Sequence, residues 1–172
     1  MRFTGRVYFD FAAPAVWRFY RLLTTAARRG VELRMAWRSF APEGDEAGRR
    51  ALASFEEVLD RAPERHGAYL QALLAQHHLD GRAVDDPEAW RLAAEVARVP
   101  APRDPEAYLP AVDASTAAAR ELGVRATPTI YRHGPVLEVD VTPAAYAGDV
   151  VARLALIDAV LEDDGIWRLV KP

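Results

Sequence analysis

Cysteine is absent from all 172 residues of this chain. No side chain can therefore form a disulfide, attack as a thiolate or hold a metal through a thiolate. The same absence leaves the redox compartment undecided. Lysine is nearly absent too: Lys171 is the only one, and the other 21 of the 22 basic residues are arginine. That bias suits a GC-rich coding sequence and excludes little. An excess of positive charge is also missing. The formal net charge is -3 and the pI about 5.8, which speaks against a nucleic-acid partner, since that needs a basic footprint. No stretch approaches the ~20 apolar residues of a membrane span. The segment Met1 to Arg6 carries charge without an apolar core, so no signal peptide is expected and a cytoplasmic location follows. There is no glycine-rich phosphate loop and no Ser-His-Asp order to support hydrolase chemistry.

What is present describes an ordinary globular core. Hydrophobic residues make up 51% and charged residues 27% of the chain, enough for one domain with a real interior. Arg6 to Phe11 reads as a strand. Pro14 suits a first helical turn, where a missing N–H costs nothing. Val16, Phe19, Tyr20, Leu22, Leu23, Ala26 and Ala27 recur at helical spacing, with Gly30 as the stop. Val31 to Trp37 is a second strand, completing a βαβ unit. The middle is helical in pattern: one helix is marked by Ala51 to Leu59 and closed by Pro63, and another by Tyr69 to Leu74, ending before Gly81. A third begins at Asp86-Pro87. Pro110 is expected to forbid a continuous helix over 105–122, so the next helix is placed from about Asp113 to Leu122, stopped by Gly123. Thr129 to Arg132 and Val136 to Val141 read as strands joined by a His133-Gly134-Pro135 turn. Thr142-Pro143 is expected to cap a last helix with Val150, Val151, Leu154, Ile157 and Leu161 buried.

Two motifs lie on this frame. Asp10-Phe11-Ala12-Ala13-Pro14-Ala15-Val16 sits at the first strand-to-helix junction. Gly123-Val124-Arg125-Ala126-Thr127-Pro128-Thr129-Ile130 sits where the second half of the sheet begins. Together, and in this order, they resemble the two halves of the active site of DsbA-like thioredoxin-fold proteins, over nearly the whole chain. The resemblance implies an α/β fold with a four-stranded mixed sheet, βαβ then ββα, and an all-helical insertion at about 42–112 within a single domain. It implies a cis Pro128 that presents the backbone of Arg125, Ala126 and Thr127 as a binding edge facing the start of the first helix.

In that family a Cys-Pro-x-Cys run opens the helix, and the first cysteine is a thiolate stabilised by helix N–H groups and dipole. Here Ala13 and Val16 stand at the cysteine positions, around Pro14 and Ala15, and neither can attack a disulfide or resolve one. The related kappa-class glutathione transferase and isomerase branch places serine where Ala13 stands, so that route to activating glutathione is missing as well. The resemblance thus implies oxidoreductase ancestry without redox chemistry, and no catalytic residue is assigned. What remains is a groove for a peptide, a small thiol ligand such as glutathione, or a partner protein. The rival reading is a glutathione-dependent isomerase-like or transferase-like enzyme that uses the substrate's own thiol. A third reading uses the helical block as a surface for a homodimer or another partner. Around the groove, Asp10 is either a helix cap or a proton acceptor, Trp17 a wall or ordinary packing, and Arg125 an anion contact or simply exposed. No metal site is expected from His66, His77, His78 and His133, because adjacent histidines on a helix point about 100° apart. Glu56-Glu57, Arg28-Arg29 and Arg49-Arg50 read as solvated helix faces.

Overall fold

A computed structural model describes residues 1–134, 136–146 and 148–163. Four strands and six helices follow one another as β1 (Arg2–Phe9), α1 (Pro14–Arg28), β2 (Glu32–Ser39), α2 (Glu46–Arg61), α3 (His66–His78), α4 (Pro87–Ala97), α5 (Leu109–Glu121), β3 (Thr129–Tyr131), β4 (Val136–Glu138) and α6 (Val150–Glu162). Short 3₁₀ turns at Pro105–Tyr108 and Pro143–Tyr146 precede α5 and α6. The sheet is mixed, four-stranded and ordered β2-β1-β3-β4, with β3 antiparallel to both of its neighbours.

The chain forms two compact units. The first holds residues 1–9, 15–38 and 120–172, that is, the sheet, nearly all of α1, and α6. Its core is built from Phe3, Val7 and Phe9 of β1, Val16, Phe19 and Leu22 of α1, and Ile130 of β3, all fully buried. The second holds residues 10–14 and 39–119. There Phe55 of α2 and Tyr69, Leu70 and Leu73 of α3 are fully buried, and the Tyr69 hydroxyl meets Ser54 Oγ at 2.9 Å.

Several expected boundaries move, each for a local reason. β1 starts at Arg2 and ends at Phe9, because Asp10 turns its carboxylate onto the Ala13 N–H instead of continuing the ladder. α5 begins at Leu109 with Pro110 in its first turn, where a missing N–H has no intrahelical partner to lose. α6 is not capped at Thr142-Pro143: that dipeptide opens a 3₁₀ turn, and Asp149 caps the helix by accepting the Val151 and Ala152 N–H groups. Of the stripe expected on α6, Val150, Leu154 and Leu161 are buried, whereas Val151 and Ile157 are half-buried and Val160 joins the core. β3 and β4 are shorter than expected, and the Pro135 part of the turn between them lies outside the described residues. Asp86 and Pro87 open α4 as expected, with the Asp86 carboxylate accepting the Glu88 N–H. Gly30 and Gly123 follow α1 and α5 with φ of 88° and 91°, the left-handed backbone that closes helices at little cost to glycine.

Candidate functional site

The Asp10–Pro14 segment belongs to the second unit and the Arg125–Pro128 segment to the first. In the former, Asp10 is 2% exposed and its Oδ1 accepts the Ala13 N–H at 2.6 Å. This is a short, charge-assisted bond at the mouth of α1, where N–H groups lack intrahelical partners and a negative charge is favoured. The Asp10 carboxylate therefore caps the turn that opens α1. Ala13 and Pro14 contribute only methyl and ring carbons to this turn.

A histidine that composition gave no reason to select holds the same segment. His78, the last residue of α3, places Nε2 2.9 Å from the Phe11 carbonyl oxygen. A carbonyl can only accept, so Nε2 carries the proton. His77 does the same through Nδ1 to the Arg82 carbonyl at 2.8 Å. The two rings meet edge to face, 4.6 Å between centroids. Phe11 itself packs edge-on against Phe55. Both histidines thus spend a nitrogen on backbone rather than presenting it to a ligand. Among the described residues no group of three metal-ligating side chains converges.

In the first unit the Thr127–Pro128 peptide bond is cis. The carbonyl of Pro128 accepts the Val139 N–H at 2.9 Å, which extends the β3–β4 pairing past the end of β4. Thr129 turns its hydroxyl back to the Ala126 carbonyl at 2.7 Å. Arg125 is exposed, and its Nη1 donates to the carbonyls of Arg120 and Val124 at 3.2 and 3.3 Å. Arg125 and Thr129 also line a cavity of about 860 Å³ whose apolar wall includes Leu22 of α1, Leu137 of β4, and Ile157 and Val160 of α6. Hydrophobic periodicity could not place this recess, because its wall comes from three elements far apart in sequence.

On α1, Val16 is fully buried and Ala15 half-buried. Trp17 is half-buried, stacked parallel on Tyr20 at 6.4 Å, and capped by the Arg21 guanidinium at 5.5 Å. Tyr20 continues inward to Trp37, which meets Phe9 edge-on. Burial pushes the Tyr20 hydroxyl up to about 12. Trp17 is thus the outer end of an aromatic column running into the core.

The solvated face expected at Glu56-Glu57 is not observed. Glu57 is 3% exposed. Its carboxylate accepts the N–H groups of Arg103 and Asp104 and an Nη1–H from Arg61. It ties α2 to the connection that leads into α5. Glu56, half-buried beside it, accepts the Ser39 hydroxyl at 2.5 Å.

No protein-family model matches this chain, and no curated protein sequence matches it. Solved structures do match in fold. A periplasmic thioredoxin-like protein from Salmonella enterica serovar Typhimurium superposes with a TM-score of 0.66 at 16% identity, over 89% of this chain and 84% of that one. A 2-hydroxychromene-2-carboxylate isomerase gives 0.65 at 17%, over 93% of this chain and all of the other. The cytosolic disulfide reductase DsbM from Pseudomonas aeruginosa, solved with glutathione, gives 0.57 at 14%, again over 93% and 100%. The fold is thioredoxin-like, of the kind with helices inserted between the two halves of the sheet. This chain carries it without a cysteine. Among the described residues no helix is long and apolar enough to cross a membrane.

Proposed function

We propose that this chain is a binding protein with a thioredoxin-like fold and no redox activity of its own. Its ligand is an extended peptide, held along the backbone of Arg125, Ala126 and Thr127 with an apolar side chain in the neighbouring recess. The observation that carries this reading is the Asp10 carboxylate on the Ala13 N–H in a chain with no sulfur nucleophile. Chemistry at the helix mouth needs an open donor to stabilise an attacking anion, and here a side-chain anion already takes it. The cavity lined by Arg125, Thr129, Leu137 and Ile157 supports a binding role, since it supplies apolar surface beside polar backbone.

A second reading keeps glutathione as ligand or co-substrate, with its own thiol as the reacting group. It is favoured by the likeness to the isomerase and to the glutathione-bound reductase over their full lengths. The same Asp10 bond weighs against it, because a thiolate brought to the helix mouth would meet a buried carboxylate.

Calorimetry with reduced, carboxymethylated insulin B chain and, separately, with glutathione distinguishes the two. Binding of the peptide that is lost in Leu137→Lys, which puts a charge into the recess, supports the first reading. A ligand at 100 times its Kd adds about 2.7 kcal/mol of stability, so a thermal shift with millimolar glutathione alone would move the case to the second. Reduction of insulin by the pure protein above the buffer rate would end both.

A further inference from the structure

The recess beside Arg125 has Leu137 of β4 and Leu156, Ile157 and Val160 of α6 along its apolar wall. Leu156 is 57% exposed, so the wall presents apolar surface that water still reaches. Four charged residues also line the recess: Arg125, Glu138, Asp140 and Arg153. All of the lining belongs to the first compact unit. The four charges differ in their commitments. Asp140 is engaged by Arg18 at 2.7 Å, and Glu138 is exposed on the edge strand. Arg125 is exposed and folds back on the carbonyls of Arg120 and Val124.

Arg153 stands apart. It is half-buried in the first turn of α6, where the dipole disfavours a cation, so helix stability does not account for it. Its Nη1 donates to the Ala145 carbonyl, and no carboxylate pairs with it among the described residues. Asp149, the nearest acid in sequence, spends Oδ1 on the N–H groups of Val151 and Ala152. The guanidinium lies over Gly148, where a Cβ would stand 2.8 Å from Nη2 and 2.9 Å from Nη1. Glycine at 148 thus leaves the room that this guanidinium fills. A half-buried guanidinium whose fork of donors meets one carbonyl has capacity for a carboxylate.

We propose that the recess recognises the C-terminal residue of the peptide, its apolar side chain against α6 and its α-carboxylate paired with Arg153. The inference rests on the peptide reading above and adds to it an end-specificity and the residue that confers it. The side chain and carboxylate of a terminal residue branch from one Cα, so a single residue supplies both the apolar and the anionic group. A residue within a chain brings an amide instead, and covering Arg153 with it would desolvate a charge without pairing it. Guanidinium forks match carboxylates bidentately. Arg125 suits this role less, because water and salt screen a fully exposed charge.

The test uses the full-length protein and two fluorescein-labelled peptides, Gly-Ser-Ala-Val-Leu with a free C-terminus and the same peptide amidated, read by anisotropy. The acid should bind about tenfold more tightly than the amide. Arg153→Gln should weaken the acid alone and bring the two within about twofold, while unchanged amide binding shows that the variant is folded. Arg153→Lys keeps the charge without the fork, and its preference should fall between. Arg125→Gln should leave the acid-to-amide ratio within about twofold of wild type. Equal binding of acid and amide by wild type overturns the inference and leaves the peptide reading standing. So does binding of neither by a protein that still binds the insulin B chain; failure of the B chain as well overturns both. A preference that survives Arg153→Gln, or is lost in Arg125→Gln, overturns the assignment to Arg153.

Discussion

Removing the Asp10 carboxylate should separate two contributions at the mouth of α1. In Asp10→Ala the Ala13 N–H loses an acceptor at 2.6 Å. Loss of such a cap costs about 0.5–2 kcal/mol, and loss of a charge at a helix N-terminus about 0.3–1, rising toward 2 where the site is partly buried. Ala13 is half-buried, so water can replace part of the bond, and the two effects overlap. The expected loss is about 2–3 kcal/mol, or ~5–10 °C in Tm for a chain of this length. Asp10→Asn keeps an oxygen acceptor in place and removes only the charge, so it should lose about 1 kcal/mol. Calorimetry or urea unfolding of the three proteins measures both steps. Formate gives an independent check, because it can enter the space left in Asp10→Ala and bind the bared N–H. Its addition should raise the Tm of that variant more than those of wild type and Asp10→Asn. The reasoning fails if Ala and Asn are equally destabilised, or if both stay within 1 °C of wild type, roughly the error of such a comparison.

Two further outcomes test the scaffold around the site. Arg132 is 6% exposed, donates to the Thr4 carbonyl and to Asp158 and Glu162, and lies 5.4 Å over the Phe3 ring. Arg132→Met should cost about 2–4 kcal/mol in urea unfolding, below the largest values for broken buried pairs because water can reach the two freed carboxylates; a loss under about 0.5 kcal/mol would show that α6 is held without it. Burial also pushes the Tyr20 hydroxyl up to about 12 and Tyr69 further still. An unfolded tyrosine gives up its proton near 10, so above that pH the unfolded chain binds fewer protons than the folded one, and stability falls as pH rises through 10–12. Each tyrosine contributes at most about 1.4 kcal/mol per pH unit. Tyr20→Phe should flatten that slope in urea melts between pH 9 and 11.5, and coincident slopes would contradict the burial argument.

The sequence made the frame legible where a residue has one dominant physical use. Pro14 at a first turn, Gly30 and Gly123 after helices and Asp86-Pro87 as cap and N1 each follow from backbone sterics and local hydrogen bonding, and each stands where expected. Reading failed where one residue has two uses that only tertiary context separates. Pro110 can break a helix or sit in its first turn, and it does the second. Thr142-Pro143 can cap an α-helix or start a 3₁₀ turn, and Asp149 takes the cap instead. Glu57 sits among surface charges in sequence, yet the N–H groups of Arg103 and Asp104, 46 and 47 positions away, draw it inward. The candidate site shows the same division. That Ala13 and Val16 offer no thiol could be read from residue identity alone, because no packing can give a methyl group an acidic proton to lose. The His78–Phe11 bond and the recess below Arg125 arise from elements distant in sequence, and local pattern carries no signal for either.

The polar atoms at the mouth of α1 are paired: the Asp10 carboxylate with the Ala13 N–H, and the Phe11 carbonyl with His78 Nε2. A buried carboxylate costs stability unless its bonds compensate, and Asp10 is 2% exposed, so the short bond to Ala13 is what makes an acid tolerable at this position.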